Sequence, residues 1–156
     1  RMKQKETVLV DFGVRFQGYH SDETKTLILG KPDAEQRRVY DTVRRAQEKA
    51  MKAIRPGVGV RRIDAAAREF IARAGYGKFF GHGTGHGVGL AVHEDPLISP
   101  KGRGVVEQGM VFTVEPGIYI PGWGGVRLED MVLVAARGYE VLTLLSKELK
   151  ENIYTR

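Results

Sequence analysis

The chain has 156 residues, enough for one domain or part of one with a buried core, and its 42% hydrophobic and 28% charged content is that of a soluble globular protein. The net charge of +6 lies largely on helical faces, on Arg37, Arg38, Arg44, Arg45, Lys49 and Lys52 with Glu35 and Glu48 among them, and no aromatic-basic stacking motif accompanies it, so a nucleic-acid partner is not expected. Cysteine is absent, which excludes disulfides and thiolate metal sites and leaves oxygen and nitrogen as the available metal ligands.

No apolar run approaches the ~20 residues that span a bilayer, and no signal pattern opens the sequence. A membrane partner is therefore not expected, and a cytoplasmic protein is the default. The chain opens on Arg1 and enters an apolar strand pattern a few residues later, as the continuation of something longer would.

Residues 7–12 read as a strand, 13–18 as a turn containing Gly13 and Gly18, and 19–29 as the partner strand. A tip between Phe16 and Gln17 sets Asp11 directly opposite Asp22. Like charges facing across a strand pair repel, so a positive group should lie between them. Gly30-Lys31-Pro32 breaks the strand, and Asp33 with Gln36 forms a capping-box variant that starts a helix over 34–54. Val39, Val43, Ala46, Ala50 and Ile54 are its buried stripe. A second helix, over 61–74, buries Ile63, Ala66, Ala67, Phe70, Ile71 and Ala74 and stops at Gly75.

The run from Gly81 to Pro96 is the densest in chemistry, since it holds His82, His86 and His93. Glycine at 81, 83, 85, 87 and 89 costs a helix about 1 kcal/mol per position. The stretch therefore reads as extended or looped backbone whose glycines let the main chain approach a ligand or a neighbouring strand, with the histidines facing one cavity. Residues 101–109 are a polar loop, 110–115 a strand, and Pro116-Gly117 a bend before 118–120. A turn over 121–125 returns the chain as a strand over 126–134. Centring this hairpin on Gly122 puts Glu115 opposite Glu129. A short strand over 139–144 and a polar closing segment over 145–156 complete the reading.

Two hairpins thus each carry a facing pair of carboxylates. Two unit charges about 4 Å apart repel by roughly 4 kcal/mol at an effective dielectric of 20, so Asp11, Asp22, Glu115 and Glu129 cannot all stay ionised together unaided. Two divalent cations, held by these carboxylates and one or more histidines, remove the difficulty and suit hydrolysis through an activated water. On spacing alone the other reading, exposed carboxylates on strands, remains open.

The ordered elements Asp11-Phe12-Gly13, Gly18 to Thr26, His82 to Gly89 with Val92-His93-Glu94, Val114-Glu115-Pro116-Gly117 and Gly125 to Asp130 resemble the successive motifs of the proline-specific metallopeptidases, prolidase and aminopeptidase P. The resemblance implies an α+β pita-bread fold, a curved antiparallel sheet with helices on its outer face. It implies a dinuclear-metal peptidase that cleaves the Xaa-Pro bond at the N-terminus of dipeptides or peptides through a metal-bridging hydroxide. Asp11 would bind one ion, Asp22 and Glu129 would bridge both, and His86 and Glu115 would complete the other. Manganese or cobalt is the implied metal, with zinc or iron as alternatives. His82 and His93 would contact substrate, Glu115 would act as general base and acid, and Arg127 would stand beside the carboxylates. Thr24 and Thr26, on the Asp22 face, would support it by hydrogen bonds. His20 reads as a surface residue, and Tyr119 and Trp123 as turn packing.

Against that family's pattern the helices before Thr7, an upstream histidine and an N-terminal domain are missing. Residues 1–156 are accordingly expected to be the C-terminal portion of the catalytic domain, completed by further residues or by a complementary N-terminal chain, with a homodimer for the full-length protein. The apolar face of Val8, Val10 and Phe12 has no evident cover. A proline-containing peptide is the expected substrate. The competing readings are a non-catalytic peptide- or protein-binding module on the same scaffold and a methionine aminopeptidase.

Overall fold

The computed structural model describes residues 2–155. Strand β1 (Thr7–Phe12) leads through a small ribbon, β2 (Arg15–Phe16) and β3 (Tyr19–His20), into β4 (Glu23–Leu29). Helices α1 (Ala34–Lys52) and α2 (Val60–Arg73) follow. The histidine run contributes β5 (Gly85–Gly87) and leads into β6 (Glu94–Ile98). Then come β7 (Val111–Val114), β8 (Gly117–Ile120), β9 (Gly124–Arg127), β10 (Asp130–Val134), β11 (Tyr139–Val141) and, near the end, β12 (Ile153–Tyr154). Among these residues no helix is long and apolar enough to cross a membrane.

Helix α1 starts where the side chains can satisfy its free N–H groups: Asp33 accepts from the Gln36 N–H, and the Gln36 side chain accepts from the Asp33 N–H. The expected stripe of Val39, Val43, Ala46, Ala50 and Ile54 is buried against Val114, Ile118, Val126 and Leu128 in one core. Helix α2 departs from expectation at its outer edge. Ile63, Ala67 and Ile71 are buried, Ala66 and Phe70 are half-buried, and Ala74 is exposed. Asp64 takes a place in the buried stripe instead.

The sheets are mostly antiparallel, in the orders β1-β4-β12 and β11-β10-β7-β5-β6. The exception is β12, which pairs parallel with β4. Its short length, in a segment rich in Lys and Glu, hid a strand where only a closing segment was expected. Glycine in β5 serves close approach, as the sequence implied: a Cβ on Gly85 would lie 1.9 Å from the Thr113 carbonyl oxygen.

Candidate metal centre

The two hairpins supply the acidic residues from places where ladders begin or break. In the second hairpin Ile118 faces Val126 and Val132 faces Phe112, one register that carries Glu115 opposite Glu129 at the gap between the β8–β9 and β7–β10 ladders. In the first, Asp11 faces Thr24 and not Asp22. The tip is one residue later than expected, with Gln17 and Gly18 both at positive φ in a two-residue turn. A shift of two in partner preserves the face, so Asp22 still points to the side where the hairpins meet.

They meet edge to edge. The Glu129 N–H donates to the Thr24 carbonyl at 3.0 Å, and the Thr26 hydroxyl donates to the Arg127 carbonyl at 2.8 Å while accepting from its N–H at 3.0 Å. The Thr24 hydroxyl donates to Glu129 Oε2. Both threonines therefore tie the hairpins together at Arg127 and Glu129, instead of bonding Asp22 as expected. Beneath the junction, buried Lys25 donates to the Glu129 carbonyl at 2.8 Å and to Asp130 at 3.0 Å. Gln47, at a stripe position of α1, donates to the carbonyls of Val114 and Leu128 on either side of the strand break. A polar residue on an apolar stripe was the available signal for Gln47; Lys25 left none.

Asp22, His86 and Glu129 each present a ligand atom within 4.8 Å of the others. His86 Nε2 lies 3.2 Å from Glu115 Oε1 and 3.7 Å from Asp22 Oδ2, and its Nδ1–H donates to the Gly87 carbonyl at 3.0 Å. That backbone bond leaves Nε2 as the ligand atom of the neutral ring. Thr113 orients two members at once, accepting from the His86 N–H and donating to Glu115, each at 3.1 Å. Asp11 is not one of the three: it is bonded to Arg127, and because it faces Thr24 the expected Asp11–Asp22 pair with a positive group between them does not form.

The electrostatics record the crowding. Burial, then the charge of Glu115, raises the Glu129 pKa to about 8 despite the Thr24 hydrogen bond. Burial and the neighbouring Asp11 raise Asp22 as well. Burial disfavours charged His86, but the Glu115 hydrogen bond, the Gly87 carbonyl and the charges of Glu115 and Asp22 outweigh it and raise its pKa to about 9. Carboxylates and an imidazole pressed together in this way are a donor set that fits divalent cations, which relieve the repulsion and match oxygen and nitrogen ligands.

His82, His86, His93, Leu97, Glu115 and Arg127 border a cavity of about 260 Å³. The His93 ring stands 4.1 Å from that of His86. A larger cavity, about 590 Å³, opens between α1 and α2 beside Arg45, Phe70 and Arg73, but it holds none of these groups, so size does not identify the site. Tyr119 does more than pack a turn. Its hydroxyl accepts from Arg127 at 3.1 Å and lies 2.9 Å from His82 Nε2, joining the two. Trp123 packs against the core. His20 is half-buried, and its N–H donates to the Gly89 carbonyl at 2.8 Å, fastening the small ribbon to the histidine loop.

The family model for metallopeptidase family M24 matches residues 1–136. The chain belongs to this family. It is similar to the Xaa-Pro dipeptidase of Pyrococcus horikoshii, at 44% identity over 149 residues that make up 96% of this chain and 42% of the relative. The crystal structure of the prolidase from the same organism superposes with a TM-score of 0.94 at 44% identity, covering 96% of this chain and 43% of that one. The X-Pro aminopeptidase structure from Thermotoga maritima gives 0.92 at 40% identity, covering 99% and 43%. The fold is the M24 pita-bread fold, and the chain spans less than half the length of these relatives.

Proposed function

We propose that this M24 chain carries the metal centre of a peptidase that cleaves the Xaa-Pro bond at the N-terminus of dipeptides or short peptides. The observation that carries the reading is the convergence of Asp22, His86 and Glu129 within 4.8 Å at the junction of the hairpins, with Glu115 beside them. Asp11, Asp22, His86, Glu115 and Glu129 would hold two divalent ions, manganese or cobalt before zinc or iron. When bound, the ions supply water activated near neutral pH and polarise the scissile carbonyl.

The chain's own groups perform the rest. Glu115 takes the proton from the attacking water at its carboxylate and returns it to the departing prolyl nitrogen. His93, beside His86, lines the substrate side of the cavity and donates to the peptide's carbonyl oxygen, while His82, whose Nδ1–H donates to the Gly83 carbonyl at 2.7 Å and whose Nε2 is bonded to the Tyr119 hydroxyl, faces the peptide's carboxylate end. Arg127 holds Asp11 in place. This chemistry suits a prolyl amide, which is tertiary and offers no N–H for an enzyme to grip.

The test uses the intact protein with added manganese and compares Ala-Pro, a longer peptide with proline second, and Met-Ala. Hydrolysis of the first two and not the third is the expected result, with about two divalent ions per chain retained on dialysis. Cleavage of Met-Ala alone would indicate a methionine aminopeptidase. Retention of less than about one ion, without cleavage of any peptide, would leave the scaffold as a binding module.

A further inference from the structure

Two charged residues of α2 lie outside every motif used so far. Asp64 is 2% exposed. Arg68, one helical turn on, grips it with Nε to Oδ2 and a terminal nitrogen to Oδ1, both at 2.8 Å. The same guanidinium donates to the Phe80 carbonyl at 3.0 Å and to the His82 carbonyl at 2.7 Å, and it lies over the Phe80 ring at 4.2 Å. Phe80 in turn meets the His82 ring edge-on at 5.1 Å. Asp64 Oδ1 also accepts from the Thr84 N–H at 3.2 Å and from its hydroxyl at 2.8 Å.

Residues 80–84 belong to no helix or strand. The pair nevertheless holds them at three main-chain points, Phe80 O, His82 O and Thr84 N. The segment is coupled onward to the metal side, because the Thr84 carbonyl accepts from the Glu115 N–H at 2.7 Å. A core position on a helix stripe would be filled at no electrostatic cost by leucine, whereas a buried carboxylate is tolerated only when fully paired. What the charges add over leucine is the placement of a loop.

We infer that Asp64 and Arg68 are positioning residues that set His82 against the substrate cavity and, through Thr84, steady Glu115. The kinetic part of this inference rests on the peptidase reading above; its geometric part does not. The double variant Asp64→Leu/Arg68→Met removes the pair without stranding a buried charge, and Arg68→Lys keeps a cation with fewer donors. In protein labelled with ¹⁵N-histidine, the ring signals of His82 and His20 are assigned by their loss in His82→Gln and His20→Gln.

The double variant is expected to melt cooperatively, to shift or broaden the His82 signals, and to leave those of His20 unchanged. Its KM for Ala-Pro should rise on the order of tenfold, with a smaller change in kcat, and Arg68→Lys should fall between it and the parent. A folded double variant with parental His82 signals overturns the inference. So does a double variant that fails to fold while Arg68→Lys keeps parental His82 signals. Failure of the parent to cleave Ala-Pro overturns the peptidase reading alone, because the imidazole signals still decide the role of the pair.

Discussion

The two hairpins share a plan but not an environment. The second lies under α1, with Phe112, Val114, Ile118, Val126, Leu128 and Val132 fully buried. The first carries Phe12 at 44% and Phe16 at 73% exposure. Each brings carboxylates to the junction, yet Glu129 is sealed beneath it while Asp11 stands half in solvent and leans on Arg127. Burial raises the proton affinity of Glu129, whereas Asp11 keeps access to solvent and a cation beside it.

The sharpest way to break this comparison is to neutralise one carboxylate on each hairpin. Glu129→Gln is expected to lower Xaa-Pro hydrolysis by about a hundredfold or more and to reduce bound metal, since even partners behind a ligand are worth 10–100-fold. Asp11→Asn should weaken metal binding less. In the metal-free protein Glu129→Gln should raise the melting temperature at alkaline pH, where the parent buries an unrelieved charge. Equal effects from the two substitutions would erase the distinction between the hairpins.

Packing should show the same asymmetry. Leu128→Ala, under α1, is expected to cost about 3 kcal/mol in urea denaturation, whereas Phe12→Ala should cost less than about 1 kcal/mol.

A pH titration sharpens the electrostatic side. Glu129 at about 8 and His86 at about 9 both hold a proton more tightly than the ordinary values of 4.5 and 6.5. The folded, metal-free state then binds more protons than the unfolded chain, so its stability is greatest below those ordinary values and is lost as pH rises through the folded ones. Its melting temperature should fall from about pH 5 to about pH 9, and adding manganese at neutral pH should release protons. A melting temperature that climbs across that range would show that these groups are not compressed together.

A modest effect lies away from both hairpins. Asp33→Ala removes the α1 cap and should cost about 1 kcal/mol without altering metal content.

Much of this was legible in the sequence wherever a local rule acts alone. The α1 cap, the apolar stripe of α1, the extended histidine run and the register of the second hairpin follow from capping, helical period and one turn centred on Gly122. The first hairpin slipped because Gln17 adopts a positive φ that its side chain does not advertise, which moves the tip by one residue. Asp64 carried a usable signal, a carboxylate on a buried stripe with Arg68 one turn later. Tyr119 carried none, since its role depends on where His82 and Arg127 come to rest.

The order of residues by itself determined which side chains can bind metal and on which strand faces they stand, because strand alternation and helix period are properties of neighbours along the chain. Only the tertiary structure decided that β4 docks beside Arg127 and Glu129, that β12 closes against β4, and that Arg68 reaches the Phe80 and His82 carbonyls. Those contacts join residues far apart in sequence, and their energy comes from carbonyls and N–H groups that carry no side-chain signature.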